Sequence, residues 1–77
     1  MSKWIEFIQM RHTGKTAVWD VVTKEGGGVL GEVKWFGRWR KYSFYPKPDT
    51  IYEQTCLRDI AAFIDEQMTS RREGRAS

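Results

Sequence analysis

The stretch from Val33 to Tyr45 constrains the fold of this chain more than any other segment. Six of the eleven aromatic residues and four of the thirteen basic residues lie in these thirteen positions, and none of them is acidic. Aromatic residues favour extended strands, and Gly37 stands inside the run, where a turn would reverse the chain. The segment therefore predicts a β-hairpin whose tip lies near Gly37 and Arg38.

Alternation along this hairpin separates a core face from a solvent face, because successive side chains of a strand point to opposite sides. With the charged residues assigned to solvent, four residues are predicted to lie in the core: Val33, Trp35, Tyr42 and Phe44. The solvent face and the tip would carry Lys34, Phe36, Arg38, Trp39, Arg40 and Lys41.

Four strands are predicted in all, each bounded by turn residues. They are Trp4–Arg11, Ala17–Thr23, Val29–Phe36 and Trp39–Tyr45. Every connection between them is short, which favours an antiparallel meander.

The first strand has apolar residues on both of its faces. Ile5 and Phe7 share one face, whereas Trp4, Ile8 and Met10 share the other. Such a strand lies either in the centre of a sheet or against a partner.

The core faces of the next two strands follow from their charges. Asp20 indicates that the opposite face, with Trp19, is buried, and the third strand is expected to direct Val29 and Gly31 to the core. Gly31 would leave room for a large neighbour, such as Trp19 or an aromatic residue of the helix.

A helical pattern follows Pro46–Pro48, whose prolines cannot donate to a sheet ladder. Apolar residues recur there at spacings of three and four, which predicts an amphipathic helix over about residues 54–71. The stripe consists of Leu57, Ile60, Ala61, Ile64 and Met68, widened by Cys56 and Phe63. Thr50, in a capping box with Glu53, or Thr55 would cap its N-terminus.

These elements predict an α+β fold of two layers, a four-stranded antiparallel meander sheet with one C-terminal helix packed on one face. Residues 1–72 would form a single domain. Residues 73–77, with Arg75, would form a disordered basic tail.

Composition excludes several classes of site. With one cysteine and one histidine, the chain can form no internal disulfide and is not expected to hold a structural metal. No motif calls for a cofactor. No segment has the apolar length of a signal peptide or a membrane span, so we expect a cytoplasmic protein without membrane contact.

Catalytic signals are few, and we expect a protein that is not an enzyme. His12 lies in a turn without a carboxylate or nucleophile at a useful spacing. Cys56 lies at the helix start, where the helix dipole could lower the pKa of its thiol, although packing is its commoner role. Gly14-Lys15-Thr16 resembles only the end of a phosphate-binding loop, since the first glycine and the following helix are missing.

The solvent face of the hairpin favours binding of nucleic acid, DNA or RNA. Cations contact phosphates and aromatic rings stack on bases in surfaces that bind single strands. A two-stranded ribbon can also enter the major groove of a duplex. Net charge is +3, a mild bias towards anionic partners. Two alternatives remain open: the basic side chains simply cover a solvated strand face, or the exposed Trp39 contacts a protein.

A further set of residues carries a resemblance to a known group of proteins. The set consists of Trp19, Val21, Leu30, Gly31, Val33, Trp35, Trp39, Arg40, Tyr42, Phe44, Pro46, Thr50, Cys56, Leu57, Ile60, Phe63 and Ile64. In these residues the chain resembles small uncharacterised proteins of bacterial prophages and mobile elements. The resemblance implies a small accessory role and no established activity. The alternative to nucleic-acid binding is an accessory protein of this kind that binds and modulates a host protein or associates with itself. A likeness of fold alone is to three-strand-plus-helix DNA-binding modules.

Overall fold

The structure, a computed structural model, describes residues 4–12 and 14–76, with side chains through residue 72. Its elements are β1 (Ile5–His12), β2 (Ala17–Thr23), β3 (Val29–Phe36), β4 (Lys41–Pro46) and α1 (Gln54–Ala76).

The four strands form one antiparallel sheet in the order β1-β2-β3-β4. The helix packs against one face, the inner face. Side chains of the opposite, outer face are mostly exposed or partly exposed, but Val18 and Val22 of β2 are buried there. The predicted α+β meander with a C-terminal helix is confirmed. β1 and β4 are the edges of the sheet, so the central position considered for β1 is wrong.

The bounds of β2 and β3 are those predicted, and β1 is displaced by one residue. The prediction for β4 is wrong at its start, because Trp39 and Arg40 belong to the turn. The amides of Trp39 and Arg40 donate to the carbonyls of Phe36 and Gly37, at 3.2 and 3.3 Å. Arg40 completes the reversal in a left-handed conformation, with φ of 52°. The tip therefore spans Gly37–Arg40, two residues more than predicted.

A chain of aromatic rings runs through the core. Phe63 of α1 stacks on Phe7 of β1, with centroids 4.0 Å apart, and meets Trp19 of β2 edge-on at 5.1 Å. Trp19 contacts Tyr42 of β4 at 5.2 Å, and Tyr42 contacts Trp35 of β3 at 5.3 Å. Each such pair contributes about 0.5–1.5 kcal/mol beyond the area it buries. One connected set of rings thus joins the helix to all four strands.

A β-bulge corrects the predicted face of Val29. The register shifts after the pair Val21–Gly31, so that the next pair is Val22–Val29. Val22 lies on the outer face, and Val29 therefore lies on the outer face too, not in the core as predicted. Leu30 packs against the core instead. Strict alternation fails at this point because the bulge inserts one unpaired residue into β3.

Gly31 does make room for a large neighbour, but the neighbour is in β4. A Cβ atom at Gly31 would lie 2.9 Å from the Phe44 ring and 2.5 Å from the Tyr45 carbonyl oxygen. The prediction that Trp19 or an aromatic residue of the helix fills this space is therefore wrong.

The apolar stripe of α1 is rotated from the one predicted. Leu57 is 50% exposed and Ala61 is exposed, contrary to expectation. The helix is rotated about its axis so that Phe63 faces the sheet, because the Phe63 ring packs against rings of β1 and β2. The residues that pack on the sheet are Cys56, Ile60, Phe63, Ile64 and Met68.

The helix ends at Ala76, five residues beyond the predicted end. The disordered basic tail predicted for residues 73–77 overlaps this last turn, and its disorder in solution stays a prediction; the side chain of Arg75 lies outside the described residues. No helix within residues 4–12 and 14–76 is long and apolar enough to cross a membrane.

Glu53 caps the helix, so both predicted threonine caps are wrong. Its Oε1 accepts the Cys56 amide at 2.6 Å, as an N-cap oxygen does with the third residue of a helix. Thr50 instead donates to the Lys47 carbonyl at 2.7 Å. Hydrogen bonds from the Cys56 and Thr55 amides hold the pKa of Glu53 below its ordinary value.

We predict that Gly31→Ala destabilises the fold by about 1–3 kcal/mol in urea denaturation, because the added methyl overlaps the β4 backbone. Gly28→Ala is the matched control, since a Cβ atom at Gly28 would meet only Thr23 Oγ1, at an ordinary contact distance of 3.8 Å. Equal stability of the two variants would contradict this close approach of β3 and β4.

We predict that Glu53→Gln lowers the melting temperature at neutral pH, since a carboxylate accepts amide hydrogen bonds more strongly than an amide oxygen. The pKa of Glu53 is depressed in the folded state, so its stabilisation is present above the unfolded pKa and is lost as pH falls through the folded pKa. The difference between variant and wild type should begin to shrink as pH falls below the unfolded pKa of Glu53 and disappear once pH is below the folded pKa. Glu66→Gln, on an exposed position of the same helix, is the control; a pH-independent difference would refute the cap.

Candidate nucleic-acid-binding surface

The β3–β4 hairpin places the predicted binding residues on the outer face and at the tip. Lys34 lies opposite Ser43, and Phe36 lies opposite Lys41, both on the outer face. The tip carries Arg38, Trp39 and Arg40, all exposed. The structure thus brings the six predicted residues onto one continuous region of the hairpin, although three of them lie in the turn rather than in strands.

An aromatic cluster forms the centre of this region. The Phe36 ring meets Trp39 edge-on at 4.8 Å and Tyr45 at 6.4 Å. Trp39 remains 66% exposed. Tyr45 was not among the predicted site residues, although its alternation with Tyr42 and Phe44 in β4 placed it on this face. We call the seven residues the hairpin surface: Lys34, Phe36, Arg38, Trp39, Arg40, Lys41 and Tyr45.

The cations of the hairpin surface are not equivalent. Lys34 Nζ lies 4.5 Å from the Tyr45 ring centroid and 3.6 Å from Glu32 Oε1. Glu32, in turn, lies opposite Asp20 of β2 on the outer face. This acidic pair, which sequence reasoning had not connected with the site, offsets the charge of Lys34 and marks the boundary of the basic region.

The meander collects further cations at the tip end of the sheet. Strands alternate in direction, so the β1–β2 turn and the hairpin tip lie at the same end. The C-terminal half of α1 also reaches this end, where Arg71 Nη1 donates to the Lys15 carbonyl at 2.6 Å. The basic residues at this end include Arg11, Lys15, Arg38, Arg40, Lys41, Arg71 and Arg72. No acidic residue occurs in the sequence between Val33 and Pro48.

Residues with catalytic potential lie elsewhere. Burial raises the pKa of the Cys56 thiol, and the carboxylate of Glu53 raises it further, so the lowering considered from the helix dipole is wrong. His12 Nδ1 accepts the Gly14 amide at 3.2 Å. In the part of the chain that the structure describes, no three His, Cys, Asp or Glu residues come together as metal ligands. The absence of enzymatic activity stays a prediction.

The arrangement suits contact with an anionic polymer that has planar groups. Exposed Arg and Lys side chains around an aromatic cluster can contact successive phosphates while a ring stacks on a base. The inner face of the same hairpin is occupied by the core, since Val33 and Tyr42 are buried. Only the outer face and the tip are therefore available to a partner.

Comparison with known proteins identifies a phage relative. The chain is 29% identical to an uncharacterised 9.3 kDa protein of Acholeplasma phage L2 over 73 residues, which are 94% of each chain. No family model matches the chain, and no solved structure matches it. The resemblance to small uncharacterised proteins is thereby confirmed for a phage protein, over nearly the full length of both chains.

Proposed function

We propose that this chain is a small phage or mobile-element protein that binds nucleic acid through the hairpin surface without catalysis. The observation that supports this most is the exposed ring of Trp39, packed on Phe36 and flanked by Arg38, Arg40 and Lys41. An exposed aromatic ring with three cations and no neighbouring acid in the turn favours a phosphate-bearing partner.

The geometry favours a single strand over a duplex. Stacking of one base on an aromatic ring contributes about 1–3 kcal/mol, and only unpaired bases can present a free face to Trp39. Phe36 supports the ring edge-on, which reduces the freedom that Trp39 loses on binding. Contacts to phosphates by the tip cations would add an attraction without sequence preference.

A second candidate function is binding of a protein, either a host protein or a second copy of this chain. The observation that favours it is the edge strand β1, where Ile8 is 44% exposed on the outer face and Met10, at a β-bulge, is 57% exposed. Apolar side chains beside an unpaired strand edge are a common site of strand addition. This candidate uses a different edge of the sheet from the hairpin surface.

We predict that affinity for single-stranded oligonucleotides falls steeply with salt in filter binding. Arg38→Ala combined with Arg40→Ala should reduce the slope of log affinity against log salt by about one for each arginine. The reason is that binding releases fewer counterions when fewer phosphates are neutralised by the protein. The control is Lys47→Ala with Arg58→Ala, which removes the same charge from exposed residues outside the hairpin surface.

An unchanged slope in the arginine variant, or an equal loss in the control, would contradict the proposal. No retention of DNA or RNA, together with a dimer mass in light scattering, would favour the second candidate.

A further inference from the structure

A polar cleft lies between the inner face of the sheet and the C-terminal half of α1. Its volume is about 680 Å³. The buried rings of Trp19 and Tyr42 form part of its wall. Its polar lining residues are Gln9, His12, Lys15, Gln67, Ser70 and Arg71, and none of the described residues that line it is acidic.

Hydrogen-bond donors from several elements face this cleft. The Tyr42 hydroxyl accepts the Ala17 amide at 3.1 Å, which leaves its own hydrogen for another acceptor. His12 accepts the Gly14 amide on Nδ1, so its neutral ring carries the hydrogen on Nε2. Lys15 accepts the Arg71 bond through its backbone carbonyl, and among the residues that the structure describes its ammonium group meets no acceptor, so its donors are available.

Arg71 is held in place at the edge of the cleft. Its guanidinium carbon lies 4.2 Å from the Trp35 ring centroid, and its Nη1 donates to Lys15. Its Nε is buried and has no acceptor among the described residues. A buried donor without an acceptor is unfavourable, so a rotation of the Arg71 side chain that brings Nε to a bound acceptor would be favoured.

We propose that this cleft binds a phosphate group. A phosphate presents three or more acceptor oxygens and up to about two negative charges, which matches donors on separate elements and the paired charges of Lys15 and Arg71. A carboxylate, with two oxygens in one plane, would engage fewer of them. The site is separate from the hairpin surface, since Lys15 and Gln67 belong to the β1–β2 turn and the helix. It is also unrelated to a phosphate-binding loop, because Lys15 is followed by a strand.

The test is an NMR titration of the full chain with inorganic phosphate, matched by chloride at equal ionic strength. Phosphate should shift the amides of Lys15 and Ala17 and the Arg71 side-chain signal. Lys15→Gln should weaken binding about tenfold, the effect of one charge-assisted hydrogen bond. Lys47→Gln, at an exposed lysine outside the cleft, should leave binding unchanged. A nucleoside 5′-monophosphate and its parent nucleoside form a second pair of probes.

Stronger binding of the monophosphate than of free phosphate, with none of the nucleoside, would identify a nucleotide phosphate as the ligand; equal binding would identify phosphate itself. Shifts that chloride reproduces, or an affinity for phosphate that Lys15→Gln leaves unchanged, would overturn the proposal. The Arg38→Ala and Arg40→Ala variant separates the two sites, since it should leave phosphate binding intact even if nucleic-acid binding is lost or was never present.

Discussion

The packing of Phe63 against the sheet is the interaction on which the rest of the structure depends. Its ring lies between Phe7 and Trp19, and through Trp19 the contact continues to Tyr42 and Trp35. In a chain of 77 residues the core is small, so a few large rings supply much of the buried area. The same contacts set the rotation of α1, which leaves Leu57 outside the core.

Tyr42 links this core to the hairpin. Its backbone amide donates to Met68 Sδ at 3.4 Å, and its hydroxyl accepts the Ala17 amide. Tyr42 is paired with Trp35 on the inner face, so the pairs on either side of it in the hairpin point to the outer face. The hairpin has two separate roles for this reason: its inner face holds the helix, and its outer face and tip remain exposed. The two faces carry the same types of aromatic residue, Trp, Tyr and Phe, but the residues are not interchangeable, because one set packs in the core and the other lies at the surface.

The sequence predicted the elements well because each carries its own local signal. Alternation identified Val33, Trp35, Tyr42 and Phe44 as core, and short connections implied the meander. What it missed depended on the fold as a whole. The bulge that exchanges Val29 for Leu30 has no marker in the local pattern, and the capping role of Glu53 depends on where the loop enters the helix.

The candidate site was predictable to a similar extent. The six predicted residues lie on the outer face and at the tip of the hairpin, and Tyr45 could have been added from alternation alone; that these residues bind nucleic acid stays a prediction. Pairing of Lys34 with Glu32 follows from their separation by two positions in one strand, which puts both on one face. The cleft beside Arg71 was not predictable, because it requires the packing of residues 56 positions apart.

The four tryptophans allow the most direct test of the account, since each indole N–H gives its own NMR signal and each lies in a different environment. Trp19 is in the core and Trp35 is beneath Arg71, whereas Trp4 and Trp39 are exposed, at β1 and at the hairpin tip. On addition of a single-stranded oligonucleotide, the Trp39 signal should shift strongly while those of Trp19, Trp35 and Trp4 stay in place. A Trp4 signal that shifts instead, or four signals that do not move at saturating oligonucleotide, would contradict the claim that the hairpin surface binds nucleic acid.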